Sequence, residues 1–119
     1  MSKRDDRVSL ADMLSHAREA VELLEGIDRK GLARDRVKQL ALTRLMEILG
    51  EAANRVSESA QHDHAEVPWP QIIAVRNRLV HGYDVIDYDL LWETVTSDLP
   101  PLIATLERIV NESDRLQHP

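Results

Sequence analysis

The chain has 119 residues, a length that suggests one domain with a modest core. Hydrophobic residues make up 43% and charged residues 30%, a globular rather than disordered balance, and the absence of cysteine excludes disulfides and thiolate metal sites. Residues 1–60 balance their acidic and basic side chains, so the net charge of −6 falls in residues 61–119, which argues against a general nucleic-acid-binding surface.

In chain order, Ser9 with Asp12 three positions on approximates a capping box and predicts the start of the first helix. Leu10, Met13, Leu14, Ala17, Val21 and Leu24 follow at helical spacing as one narrow stripe. Gly26 ends that helix, and Gly31 lies in the linker. Asp35 is the expected cap of a second helix running to about Ser57. Its apolar set is wide: Val37, Leu40, Ala41, Leu42, Leu45, Met46, Ile48, Leu49, Ala52, Ala53 and Val56. A helix this apolar in a small domain is either central or shared with another subunit.

Residues 58–68 are polar and predict a loop. Pro68-Trp69-Pro70 opens a third helix, with Pro70 suited to its first turn. That helix is expected to reach about His81, with Gly82 just past its end. A connector over residues 84–87 leads to Asp89, the expected cap of a fourth helix through Leu90, Leu91, Trp92 and Val95. Pro100-Pro101 either kinks this helix or starts a fifth. Leu102, Ile103, Leu106, Ile109 and Val110 carry the pattern to about Asn111, and the tail after Asp114 is expected to fray. The reading is all-α: an up-down bundle of four to five helices, one domain over residues 1–119 with its core over about 9–112. With an aliphatic core and no Phe, Trp69 and Trp92 are expected as core or interface anchors. No apolar run approaches the roughly 20 residues needed to span a membrane, and nothing after the N-terminus resembles a signal peptide, so a cytoplasmic protein is expected.

Chemistry concentrates in residues 75–83, Val-Arg-Asn-Arg-Leu-Val-His-Gly-Tyr. Arg76, Asn77, Arg78, His81 and Tyr83 crowd two fixed cations, an amide, a titratable imidazole and a phenol onto one helix end and its exit. Such a set can hold a phosphate and move a proton beside it. On a regular helix, residues five apart point about 140 degrees away from each other, so Arg76 and His81 do not share a face. Asn77 and His81, four apart, do. Either the helix loosens near Gly82, or two copies of the motif meet across a two-fold axis. At a helix C-terminus the dipole favours a protonated His81 and desolvation opposes it, a balance suited to an acid or base near neutral pH. The plainer alternative is a capping His81 and a salt-bridged Arg76.

The string R-x-x-x-x-H from Arg76 to His81, with Asn77 directly after the arginine, resembles the signature of the HEPN superfamily of helical ribonucleases. Its extension R-N-x-L-V-H-G-Y resembles the HepT branch, the toxin of the HepT/MntA toxin–antitoxin system. Other segments are similar in order: Glu47-Ile48-Leu49-Gly50-Glu51-Ala52-Ala53, Val67-Pro68-Trp69, Ile86-Asp87, Leu91-Trp92 and Asp98-Leu99-Pro100. The similarity thus covers most of residues 9–110. It implies a homodimer in which two motifs face each other. Arg76 would hold the scissile phosphate, His81 would handle proton transfer as the RNA 2′-hydroxyl attacks, and Asn77 would orient a partner. A cyclic phosphate end is the implied product, with no metal or other cofactor. Tyr83, two residues after the motif histidine, matches the tyrosine that an MntA nucleotidyltransferase adenylylates. AMP there would set negative charge and bulk beside the phosphate site and repel RNA.

Weaker features stand beside these. Arg44, Glu47, Glu51 and Arg55 fall at three- and four-residue steps, the pattern of an ion-pair ladder worth a few tenths of a kcal/mol per pair. Glu47 or Glu51 reaching across to support Arg76 is the functional option, as Arg78 is beside the motif. His62-Asp63-His64 lacks a clear third ligand and suits a solvated loop better than a metal site, and His16 and His118 suit the surface. Two other functions fit the same chain: a non-catalytic helical partner of a nucleotidyltransferase that holds phosphate without cutting, or a structural dimerisation module.

Overall fold

A computed structural model describes residues 3–81 and 85–117, without the side chains of Lys3, Arg4, His81 and Gln117. The described residues are helical and contain no strand: α1 (Lys3–Leu23), α2 (Arg29–Arg34), α3 (Arg36–Arg55), α4 (Glu58–Asp63), α5 (Trp69–His81), α6 (Tyr88–Glu93), a π turn (Thr94–Asp98) and α7 (Leu99–Gln117). The all-α bundle expected from the sequence is what forms, with α1, α3, α5 and α7 as its long members. α3 packs on α1 and on α5, and α7 packs on α1, so the order in space is α5, α3, α1, α7. The molecule measures 48 × 29 × 20 Å, and its short axis is close to two helix diameters of about 10 Å each. α5 leans chiefly on α3. Between α5, α3 and the start of α7 lies a cavity of about 330 Å³ lined by Met46, Leu49, Ile72, Val75, Leu99 and Leu102.

The core is aliphatic, with Met13, Leu32, Leu42, Leu91 and Leu106 wholly out of solvent. The stripe foreseen on the first helix is buried at Leu10, Met13, Leu14, Ala17 and Leu24, and Val21 packs against its edge. α1 nevertheless begins at Lys3, upstream of the expected cap, and Ser9 is buried inside the helix. The cause is a distant contact. Asp6 is buried and accepts hydrogen bonds from Ser57 N (2.8 Å) and Ser57 Oγ (2.7 Å), which pins the first turn of α1 to the junction after α3. Asp5 and Asp6 also lie where the helix dipole favours negative charge. Gly26 ends the helix as expected, with φ +75° in the left-handed region that glycine tolerates.

α2 occupies what the sequence left as a linker. Asp28 caps it by accepting from Gly31 N, and Gln39 closes its other end by donating to Leu32 O (2.8 Å) and Ala33 O (3.1 Å). Asp35 caps α3 as predicted, accepting from Lys38 N at 3.0 Å. The wide apolar face of α3 splits: Leu42, Leu45, Met46, Leu49, Ala52 and Ala53 are buried, whereas Val37 and Leu40 face solvent. The loop expected over residues 58–68 contains α4, capped by Ser57 through Ala60 N. Trp69 is buried and its Nε1 donates to both Gln61 O (3.1 Å) and His64 O (3.0 Å), which fixes the entry to α5. Trp92 packs against the core at its edge.

The fourth helix is capped by Asp87 rather than by Asp89. Asp87 is non-helical and accepts from Leu90 N at 2.9 Å, while Asp89 sits in the first turn and binds Arg29 at 2.7 Å. Pro100-Pro101 stand in the first turn of α7, which begins at Leu99, so of the two expected outcomes the prolines start a new helix. Two missing N–H donors would leave gaps in an α ladder, and the ladder slips by one residue just before them: Leu99 N bonds to Thr94 O, five residues back. Thr96 Oγ1 takes over Trp92 O at 2.6 Å. α7 then runs to Gln117, past the predicted end near Asn111 and through the tail expected to fray.

Candidate active site

α5 is an amphipathic helix whose inner face buries Leu79 and half-buries Ile72, Ile73 and Val75 against α3. Arg76 lies at the margin of that contact and is itself half-buried. Opposite it on α3 is Gly50, also buried. A Cβ built on Gly50 would stand 2.5 Å from Arg76 Cγ and would overlap Arg76 Cβ. The two helices therefore touch backbone to stem at this point. An interior glycine costs a helix roughly 0.5–1 kcal/mol relative to alanine, so its presence in α3 answers a packing need and not a helix-forming one.

The three guanidinium nitrogens of Arg76 differ. Nε is buried and has no hydrogen-bond partner among the described residues. Nη1 donates to Asn77 Oδ1 at 2.9 Å. Nη2 has no protein partner among the described residues. Of the carboxylates described on α3 and just after α5, Glu47, Glu51 and Asp87 are committed elsewhere. Glu47 and Glu51 pair with Arg44 at 3.2 and 3.8 Å, and Asp87 pairs with Arg78 at 2.9 Å. Among the described residues no carboxylate is paired with Arg76. Asn77 supplies a neutral oxygen instead, which fixes one edge of the fork without cancelling its charge. The result is a cation on a packed stem, neutralised by no carboxylate among the described residues, with a planar fork that suits an anion such as a phosphate.

Asp87 has two roles. Its Oδ1 caps α6 and its Oδ2 accepts from Arg78, so one carboxylate ties the end of α5 to the start of α6 across residues 82–84. Arg78 and Glu47 share the wall of a second cavity, about 250 Å³, with Arg44, Thr43 and Asp87. Glu47 and Glu51 thus stand near the motif yet serve the ladder along α3 rather than Arg76. His81 closes α5 with its backbone, and the reach of its side chain toward Arg76 or Asn77 lies outside the described residues. Gly82 and Tyr83 lie outside them as well, as does His118.

His64 is 3.9 Å from Glu66, which Arg108 also binds at 3.2 Å, and His62 ends α4 in solvent. Among the described residues no three His, Asp or Glu side chains gather closely enough to hold a metal ion. His16 is partly exposed, its Nδ1 2.7 Å from Asp12 O. The residue that sequence reasoning passed over is Gly50. The available signal was a glycine at the centre of a strongly apolar helix, a position that usually marks close backbone approach.

A family model described as ribonuclease HepT-like matches residues 13–109. A Methanocaldococcus jannaschii protein named as a candidate RNase, MJ1380, is 35% identical over 107 residues, which is 90% of this chain and 98% of that protein. "Probable ribonuclease HepT" of Thermococcus cleftensis is 33% identical over 102 residues, 82% of this chain and 93% of that protein. A Caldanaerobacter subterraneus protein named as a candidate RNase, TTE0752, is 29% identical over 106 residues, 89% of this chain and 95% of its own length. No solved structure matches the chain significantly. The family match spans α5 with Arg76 and the bundle that holds it, and with near full-length relatives of the same description the chain belongs to the HepT-like ribonuclease family of the HEPN superfamily.

Proposed function

We propose that the protein is the toxin of a HepT/MntA-type pair: an endoribonuclease whose active site forms from two copies of the Arg76–His81 motif. The observation that carries this reading is the state of Arg76, a half-buried cation fixed by Asn77 and paired with no carboxylate among the described residues. In the proposed reaction the 2′-oxygen bonds to phosphorus as the P–O5′ bond breaks. Arg76 stabilises charge on the non-bridging oxygens. His81 takes the proton from the 2′-hydroxyl, and the leaving O5′ is protonated by the histidine of the second copy. The product is a 2′,3′-cyclic phosphate and a free 5′-hydroxyl.

Homodimerisation is supported by the aliphatic side chains exposed around the Arg78 cleft. Leu40, Val80 and Val85 line that cleft and are 49%, 42% and 80% exposed. Silencing is assigned to Tyr83, whose phenol oxygen would displace pyrophosphate from ATP on a cognate nucleotidyltransferase. No helix of the described residues is long and apolar enough to cross a membrane, which suits a cytoplasmic RNA substrate.

The test compares wild type with His81→Ala on RNA in vitro and in a bacterial host. Wild type should cut RNA to cyclic phosphate ends and arrest growth, and the variant should do neither. If both are harmless and neither cuts, the chain is instead a non-catalytic partner of the nucleotidyltransferase. Intact-mass measurement after co-expression with that partner should show added AMP, abolished by Tyr83→Phe.

A further inference from the structure

We infer that Gly50 is a positioning residue for Arg76: its missing side chain lets the arginine stem lie on α3 and so aims the guanidinium. This rests on the reading of Arg76 as the phosphate-holding group.

The contact is unusual in where it falls along the arginine. A side chain at position 50 would meet Arg76 at Cβ and Cγ, and would stand 3.5 Å from Cδ. Rotating the outer torsions of Arg76 cannot clear its own Cβ, because that atom is fixed to the α5 backbone. Any side chain at 50 therefore moves α5 relative to α3. Neighbouring positions of α3 are small but not empty: Ala52 and Ala53 carry a Cβ and are buried. The need for glycine is thus specific to the point that faces Arg76.

The same close approach explains the sealed Nε. The stem is pressed into the α3–α5 contact, and the first guanidinium nitrogen is drawn in with it, out of solvent. Asn77 then holds Nη1. Two constraints, one from the stem and one from the fork, fix the direction of a side chain that would otherwise sample many rotamers. An aimed, preorganised donor is what stabilises charge developing on a phosphate.

The experiment is Gly50→Ala in the full chain, with three readouts: helical circular dichroism with solution mass, solvent exchange of the Arg76 Nε–H by NMR, and single-turnover cleavage of RNA. The variant should stay folded at the wild-type mass. Its Nε–H should exchange faster than in wild type. Cleavage at saturating RNA should fall about 10²-fold, the scale expected of a displacement near 1 Å, while affinity for an RNA blocked by a 2′-deoxy sugar at the cleavage site stays near wild type. Wild-type exchange together with wild-type cleavage overturns the inference, and so does a loss of affinity with no loss of saturated rate. Should wild type itself not cut RNA, the ribonuclease reading fails on its own, and the Nε–H exchange still decides the role of Gly50. Should Gly50→Ala not fold, Arg76→Gly and the double variant Gly50→Ala/Arg76→Gly take its place. The double variant should fold where Gly50→Ala does not, because glycine at 76 removes the Cβ and Cγ that the new methyl group would strike. A folded Arg76→Gly beside an unfolded double variant overturns the proposal.

Discussion

Arg76 puts three nitrogens of one group in three environments: one sealed, one bonded to an amide, one without a protein partner among the described residues. Lysine cannot reproduce this, because an ammonium is a point charge with no planar fork. Arg76→Lys should keep the fold and lower RNA cleavage on the order of 10²–10³-fold, the usual loss when an oriented donor to developing charge is removed. Comparison of saturated rates with those of wild type checks it. At this scale the sequence was legible in part. The motif residues and their spacing stood out because they are chemically dense. The partner that orients Arg76 did not, because it acts through a missing atom on a helix 26 positions upstream. The spacing of Arg44, Glu47 and Glu51 was legible too, since the ladder it predicts is the pairing these carboxylates make.

Among the elements, those with long apolar periodicity or strong caps were the readable ones: α3 behind Asp35, α5 behind Pro70, the end of α1 at Gly26. α2 and α4 have six residues each, too few to show a period, and both occupy stretches that composition marks as loop. The start of α1 was hidden for a different reason. It depends on Asp6 meeting Ser57, a pair 51 positions apart that no local signal records. The carboxylate satisfies one backbone and one side-chain donor at a buried site. Asp6→Ala should therefore destabilise the fold by about 2 kcal/mol, since two hydrogen bonds to a charged acceptor are lost and their part-buried donors are left without it. Urea denaturation of the two chains measures the difference, and the far-ultraviolet spectrum of the variant should lose helix at α1 if the first turn depends on this contact. The π turn belongs to the same class. Two consecutive prolines announced a break, and only the packed bundle decided that a one-residue slip would precede it.

At the scale of the whole molecule, the acidic balance and the proposed RNA substrate pull in opposite directions. A chain with net charge −6 gains little from long-range attraction to RNA. Any phosphate affinity has to be local, and pairing two copies would double the arginines at one place. The exposed aliphatic rim of Leu40, Val80 and Val85 beside Arg78 is the surface assigned to that pairing. Val80→Asp should shift the protein from dimer to monomer in sedimentation and abolish RNA cleavage, with the helical spectrum unchanged. Retained cleavage by a monomer would remove the case for a shared site.

The order of helices in space has one more consequence. α1 and α3 each have two long neighbours, while α5 leans chiefly on α3 and borders a cavity. Local opening costs least where the fewest contacts break. The motif is therefore mounted on one of the two edge members of the bundle, a helix that can shift against its neighbour while the central pair stays closed. Amide hydrogen exchange should be faster along α5 than along α1 and α3, and a bulky group added just beyond α5 would act on an edge of the bundle rather than on its central pair.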